Sequence, residues 1–344
     1  MDKRTTIRDV ARQAGVSVAT VSNVFNGIQK VSEATRERIL EIAKEMDYQP
    51  NMLARSLSMQ KSGMIGLLLP VIEEEKDRIL LQDNPYYAEF LSGVEKKAAE
   101  LGYDVIIRGI RPYESCREWI LKRQLEGAIF VGNASDVVSD DSMELGNRLV
   151  LLDTYDKGIL QHDHIGIDDR LGGRIATEHL LDKGHKRIAF AGSQIQYEGC
   201  IRQRYLGYEE TMKERNLFQG KFVFRDELNF EGGVRIGKKM LAMGDQVTAV
   251  FAASDTVAFG IMNAYEQAGK KIPDDLSIVG FDNIKTCEYV YPKLTSVNQN
   301  SFLKGMKAVE LLHKAGDNGE KEPVELVLPV TLIERDSVRE CRTV

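Results

Sequence analysis

Apolar positions in the first fifty residues fall into three short stripes. Ile7, Val10, Ala11 and Ala14 recur at i, i+3, i+4 and i+7, the spacing of one buried helix face. Thr6 before them and Asp9 three residues later make a variant capping box, and Gly15 breaks the helix. Ser17 is placed to cap a second helix, in which Val21, Val24 and Phe25 share one face. Val18, Ala19 and Asn23 are left facing outward. A third helix starts at Ser32 and buries Ile39, Ile42, Ala43 and Met46.

From residue 63 onward the pattern changes. Short apolar runs at 64–70, 103–108, 127–131 and 148–153 read as buried strands, with amphipathic stretches around 86–101 and 113–124 between the first three. A second set follows at 186–192, 222–226, 248–253 and 276–282, with helical patterns near 170–183, 202–216, 232–243 and 256–269. A helix near 301–315 and a strand pair at 324–335 close the chain. This alternation predicts an α/β protein with two successive doubly wound parallel-sheet units. Such units bind small ligands where strand ends meet at a shared cleft.

Two short helices joined by a Gly-containing turn and backed by a third form a helix-turn-helix. The second helix of that unit lies in the DNA major groove with its outward side chains at base edges. Small residues let it sink deep, hydroxyls reach phosphate oxygens, and Asn23 offers a base both a donor and an acceptor. The same spacing suits a three-helix interaction module that touches no nucleic acid. After the third helix, YQPNMLARSL has Pro50 poised to open a helix from Asn51 to Leu57, too short to be stable alone in water.

Charge supports a division of labour without deciding it. Residues 1–60 hold nine Lys/Arg and seven Asp/Glu, a charge of +2, which leaves −8 on the remainder of a chain whose total is −6. At 344 residues, with 43% hydrophobic and 28% charged positions, the chain has the composition of a soluble multidomain protein. No amino-terminal apolar segment carries a cleavage pattern and no run is long enough to span a membrane, so a cytoplasmic location is expected. Cys116, Cys200, Cys287 and Cys341 are scattered, which fits reduced structural thiols. His162 and His164 sit close together but lack a third ligand at suitable spacing, so no metal is expected. No cofactor is expected either, and phosphate-loop, dinucleotide, nucleophile-elbow and zinc-protease motifs are all missing.

The segments TIRDVARQAGVSVATVSNVFNG, VSEATRERI and YQPNMLARSL together resemble the LacI/GalR family of bacterial transcription regulators, and the resemblance runs through nearly the whole chain. It implies a helix-turn-helix domain over 1–50, a hinge helix and linker over 51–61, and an effector-binding and dimerisation domain over 62–340. Within the last, one subdomain would take about 62–165 plus 299–322 and the other about 166–298 plus 323–340. The architecture would resemble that of periplasmic sugar-binding proteins. The resemblance assigns base contacts to Val18, Ala19 and Asn23. It assigns DNA-backbone contacts to Thr20, Ser22, Asn26, Ser32, Thr35 and Asn51. Leu57 would wedge into the minor groove and bend the duplex, with Arg55 beside it. Partners would be operator DNA, a small-molecule effector (a sugar or sugar phosphate) and a second copy of the chain, with no membrane.

Effector candidates are Tyr86, Tyr87, Asp153, Arg204, Phe230, Ser254, Asp255, Asp282 and Gln299. Carboxylates and a guanidinium fork suit a polyhydroxylated ligand, and aromatic rings could wall a sugar ring. For Asp255 a helix cap is an alternative role, and Asp168 and Arg170 are assigned to the hinge between sheets. Several features depart from the family. VIEEEKDRILLQD, residues 71–83, intervenes before the Asn84-Pro85-Tyr86-Tyr87 motif, as a lid or a solvated acidic loop. Arg108 and Arg111 stand where relatives carry small polar residues, hinting at an anionic ligand. Ser254 replaces a usual asparagine. The implied function is a repressor of carbohydrate-utilisation genes. Its rivals are a regulator answering to a non-sugar ligand or a phosphorylated carrier protein, a sugar-binding protein with no DNA role, and an enzyme.

Overall fold

A computed structural model of the chain describes residues 5–25, 28, 31–48, 62–70, 85–110, 116–132, 148–155, 162–317 and 322–341. The chain divides into two compact units, residues 1–63 and 64–344. Among the described residues the first unit has three helices, α1 (Ile7–Ala14), α2 (Val18–Phe25) and α3 (Glu33–Glu45). Asp9 reaches back to the Thr6 backbone N–H at 3.1 Å, closing the expected capping box. Gly15 takes the left-handed conformation at φ 64°, where a side chain would be strained, and so ends α1. Ser17 Oγ accepts the Thr20 N–H at 3.1 Å and starts α2. Val10, Ala11, Ala14, Val21, Val24, Ile39 and Ala43 form the small core. Ile42 and Met46 are only partly buried against it.

The second unit contains two six-stranded sheets. The first sheet is entirely parallel, in the order β11-β5-β4-β3-β1-β2. Its strands are β1 (Met64–Pro70), β2 (Asp104–Ile110), β3 (Gly127–Val131), β4 (Leu149–Leu152), β5 (Asp163–Ile167) and β11 (Glu325–Leu328). The second sheet runs β12-β10-β9-β8-β6-β7, parallel except where β12 meets β10. It consists of β6 (Ile188–Gly192), β7 (Val223–Arg225), β8 (Ala249–Ala252), β9 (Ser277–Asp282), β10 (Thr295–Asn298) and β12 (Thr331–Ile333). Every residue of β3, β4, β6, β8 and β9 is buried, as expected of parallel strands covered on both faces.

The covering helices are α4 (Pro85–Leu101), α5 (Cys116–Lys122), α6 (Asp169–Asp182), α7 (Cys200–Glu214), α8 (Phe230–Leu241), α9 (Asp255–Gln267) and α10 (Ser301–Asp317). The α6–α7 pair is close because glycines face backbone across it. A Cβ on Gly173 would stand 2.1 Å from the Arg204 carbonyl oxygen, and one on Gly207 2.1 Å from that of Arg170. Only hydrogen fits at either place, and the close approach sets Asp169 of α6 against Arg204 of α7.

Three strand expectations change. β5 and β10 are strands that apolar runs alone did not reveal, because DHIGI and TSVN carry polar residues at buried positions. Those residues are satisfied locally. Asp163 Oδ1 accepts the Val324 N–H at 2.8 Å, Thr295 Oγ1 accepts the Arg335 N–H at 2.9 Å, and Ser296 donates to Asp255 at 2.6 Å. The closing segment is not a strand pair. Residues 325–328 join the first sheet beside β5, whereas 331–333 pair with β10 in the second. Pro329 lies between them and cannot continue a ladder. The last crossing therefore follows residue 328, not 322, and β11 belongs with the first subdomain.

Candidate functional site

In the first unit α2 is held by Val21 and Val24, both buried, and by an edge contact of Phe25 with Tyr48 at 5.6 Å between ring centroids. Its opposite face presents Val18, 41% exposed, and Ala19, while Thr20, Ser22 and Asn23 are half-buried. Thr20 Oγ1 lies 2.8 Å from Ser17 Oγ, and Thr35 Oγ1 lies 2.9 Å from Ser32 Oγ. Hydroxyls thus cluster at the amino ends of α2 and α3, where backbone N–H groups and the helix dipole favour an anion such as a phosphate. Asn26, Asn51, Arg55 and Leu57 lie outside the described residues, as do the insertion at 71–83 and Arg111.

In the second unit a cavity of about 190 Å³ opens among the carboxyl ends of strands from both sheets. Tyr86, Tyr87, Val131 and Asp153 reach it from the side of the first sheet. Cys200, Arg204, Ser254 and Asp282 reach it from the second, and Gln299 lies on the crossover between them. Asp153 and Asp282 sit just at strand ends with φ of 52° and 111°, a backbone region that L side chains rarely adopt. Strain of this kind persists where the surroundings hold it, and it clusters at binding sites.

A continuous polar chain ties these side chains together. Tyr86 donates to Asp153 Oδ2 at 2.8 Å, and Lys304 donates to Asp153 Oδ1 at 2.7 Å. Lys304 also donates to Gln299 Oε1 at 2.7 Å, and the Gln299 amide donates in turn to Asp282 Oδ1. Arg204 approaches that same Asp282 oxygen at 3.5 Å, donates to Asp169 at 2.7 Å and to the Ala253 carbonyl at 2.7 Å. Tyr155 closes the chain by donating to Asp169. The Arg204 guanidinium also lies 3.6 Å from the centroid of the Phe281 ring, a stacked cation–π contact.

Burial raises the carboxyl pKa of both Asp169 and Asp282, and Arg204 partly pulls each back down. Burial works against the charge on Arg204, yet Asp169 and Asp282 more than offset it and hold its pKa above the ordinary value. Tyr86 is held well above the usual phenol range by burial and by Asp153. Burial pushes the Cys200 thiol up to about 12, which favours its protonated form.

Of the expected effector residues, Tyr86, Tyr87, Asp153, Arg204, Ser254, Asp282 and Gln299 therefore surround one cavity. Two stand elsewhere. Phe230 is the first residue of α8, 38% exposed, and is not among the residues that line the cavity. Asp255 is fully buried beneath the strand ends, with its oxygens taken by Ser296, the Ile284 N–H and the Cys287 thiol. The cap of α9 is Ser254, which accepts the Val257 N–H at 3.3 Å. Asp168 caps α6 where the chain leaves the first sheet, and Arg170 pairs with Glu210 on the outer surface of α6 and α7. Arg108 stacks over Trp119, 5.7 Å from its ring centroid, and is not among the cavity residues. His164 lies inside β5, and no cluster of potential metal ligands occurs among the described residues.

Sequence reasoning missed Lys304, Asp169 and Tyr155. A lysine in the otherwise amphipathic stretch SFLKGMKAVELL carries no local sign of burial, because lysine on a helix normally faces solvent. Asp169 was hidden beside Asp168, which was assigned to the hinge between sheets.

Comparison with known proteins adds the following. Residues 6–51 match the model of bacterial regulatory proteins of the lacI family, and residues 177–338 match a periplasmic binding protein-like domain. The HTH-type transcriptional regulator RegA of Clostridium saccharobutylicum is 34% identical over 97% of this chain and 99% of its own length. Among solved structures, a lac repressor dimer bound to operator and the anti-inducer ONPF is similar at a TM-score of 0.80. It is 25% identical, over 98% of this chain and all of that one. A complex of the transcriptional regulator CelR with cellobiose is similar at a TM-score of 0.68 and 28% identity, over 97% of this chain and all of that one.

Proposed function

The chain belongs to the LacI family of bacterial regulatory proteins, and on that footing we propose that it is a homodimeric repressor whose hold on a near-palindromic operator is switched by a small polyhydroxylated effector in the cleft. It is a DNA-binding transcriptional regulator by family. The effector part rests on one observation: Asp153 and Asp282, at strand ends with strained backbones, meet Arg204 around a single cavity walled by Tyr86 and Tyr87. Carboxylate acceptors and a guanidinium fork against flat apolar rings fit the alternating polar edge and apolar face of a sugar. The cellobiose complex of a similar protein supports a carbohydrate ligand.

In this reading Val18, Ala19 and Asn23 meet base edges, and Thr20, Ser22, Asn26, Ser32, Thr35 and Asn51 meet the DNA backbone. Leu57, with Arg55 beside it, opens the minor groove. Two copies are needed because each helix-turn-helix reads one half-site. The ligand favours one relation of the two sheets, and that relation decides whether the segments around Leu57 can pair on DNA. The protein acts in the cytoplasm and catalyses no reaction. No described helix is long and apolar enough to cross a membrane.

Selection of bound fragments from a library of bacterial promoter DNA tests the DNA part. A two-fold symmetric consensus is expected, and Leu57→Ala should weaken binding to it by at least about tenfold. Binding that is independent of sequence and insensitive to Leu57 would defeat the mechanism.

A further inference from the structure

Lys304 is a charged side chain beside the cleft that no sequence pattern singles out, and it is completely buried. Its ammonium lies behind the cavity wall and holds two wall residues, Asp153 and Gln299, each at 2.7 Å. It also lies 5.7 Å from the centroid of the Tyr86 ring. An ammonium has no acceptor, so it must take the carbonyl end of the Gln299 amide. That turns the Gln299 NH2 toward Asp282. The orientation of Gln299 is thereby fixed from behind, and one of its two amide donors is committed to Asp282 before any ligand arrives.

We propose that Lys304 is a specificity-determining residue of the cleft: it balances Asp153 and orients Gln299 so that the cavity accepts an uncharged, hydroxyl-rich ligand and rejects phosphorylated or carboxylated ones. This inference rests on the reading of the cleft as an effector site.

The charge pattern supports the selection. Two cations, Arg204 and Lys304, face three carboxylates, Asp153, Asp169 and Asp282, and all five are linked by the hydrogen bonds described. Arg204 is already matched by Asp169 and Asp282, and Lys304 by Asp153. Among the described residues, a phosphate entering this buried site meets no cation whose charge is unmatched, and it stands close to carboxylates in a medium that screens repulsion poorly. A hydroxyl group, by contrast, can donate to a remaining carboxylate lone pair and accept from the Arg204 fork without adding charge. Burial raises the pKa of Asp282, which already marks the site as unfavourable to further negative charge. Arg108, the described cation that suggested an anionic ligand, is engaged with Trp119.

The test uses the full-length protein with calorimetry and thermal shift against ribose, glucose, galactose and cellobiose. The panel also includes ribose 5-phosphate, the 6-phosphates of glucose and galactose, glucuronate and galacturonate, and glucosamine and galactosamine. The wild type is expected to bind at least one uncharged sugar, and to bind that sugar's phosphate or uronate at least about tenfold more weakly. Lys304→Met leaves Asp153 without its cation. It should lose about tenfold or more for the uncharged sugar and shift about tenfold in relative preference toward the matching amino sugar, whose ammonium replaces the missing charge. A merely structural lysine would lower all affinities together and move no preference. Because Lys304→Met alone risks misfolding, the double variant Lys304→Met/Asp153→Asn removes both charges. Its cooperative melt establishes folding, and its preference for the amino sugar should vanish. A phosphate or uronate that binds as tightly as its parent, or an unchanged preference in Lys304→Met, overturns the proposal and leaves the effector reading standing. If no panel member binds, charged or uncharged, the carbohydrate reading of the cleft fails and this proposal with it.

Discussion

Arg204 is held by three kinds of contact, and each predicts a consequence of substitution. Its fork serves Asp169, Asp282 and a backbone carbonyl, while its face lies on Phe281. Lysine cannot reproduce the planar fork or the stacking, so Arg204→Lys should lower effector affinity by about tenfold or more despite keeping the charge. Calorimetry with the cognate sugar checks this. Beneath the cleft, burial and the Asp282 carboxylate raise the pKa of Asp255 well above the ordinary carboxyl range. The unfolded chain releases that proton near pH 4, about the usual value for aspartate. Between there and the raised folded value the native state holds more protons, so this contribution to stability falls as pH rises through that window. Urea titrations between pH 4 and 8 should show a smaller fall in stability for Asp255→Asn than for the wild type; identical slopes would refute this assignment. At this scale the sequence was informative where side-chain chemistry is tied to a strand end, as at Asp153 and Asp282. It was silent where burial contradicts habit. Asp255 looks like a cleft residue by its position after an apolar run and Phe230 by its aromatic ring, yet whether a side chain faces a cavity or the core beneath it depends on packing between elements. Lys304 is the converse case.

Among the elements, the α6–α7 contact carries the most demanding geometry. Gly207→Ala would drive a Cβ to 2.1 Å from the Arg170 carbonyl oxygen, so the helices must separate. A cost of about 2 kcal/mol or more is expected, measured as a lower urea midpoint, together with weaker effector binding because Asp169 moves off Arg204. Gly220→Ala serves as the control, since a Cβ at Gly220 meets nothing within 4 Å. Periodicity revealed the helices and the continuous apolar strands because their burial is written in consecutive residues. It did not reveal β5 and β10, whose polar side chains are buried only because distant backbone groups bond to them. Nor did it separate β11 from β12, which look like one strand pair until Pro329 is weighed as a break. The outward face of α2 was legible for the opposite reason: three short helices leave few ways to bury Val21 and Val24. Asn23→Ala should relax half-site preference more than Val18→Ala, because only Asn23 can give a base a paired donor and acceptor. Binding-site selection with each variant compares them directly.

For the molecule as a whole, the claim is a coupling between two binding events. A ligand that binds one conformation better must change DNA affinity by the same factor by which DNA changes ligand affinity. Operator binding should also weaken steeply between 50 and 200 mM salt, in proportion to the phosphates contacted (about 0.9 in log–log slope for each). The two-sheet architecture and the helix-turn-helix were both legible from the sequence, because each is specified by local patterns repeated along the chain. The effector was not, because its identity depends on the exact array of charges that folding brings together at Lys304, Asp153, Gln299, Asp282 and Arg204. The coupling is most directly tested by fluorescence anisotropy on a labelled operator fragment, titrated with the full chain with and without a saturating sugar whose binding calorimetry has established. The operator dissociation constant should move by about tenfold or more in the wild type and stay still in an Arg204→Ala variant. A wild-type operator affinity that does not change while the sugar is bound would contradict the coupling.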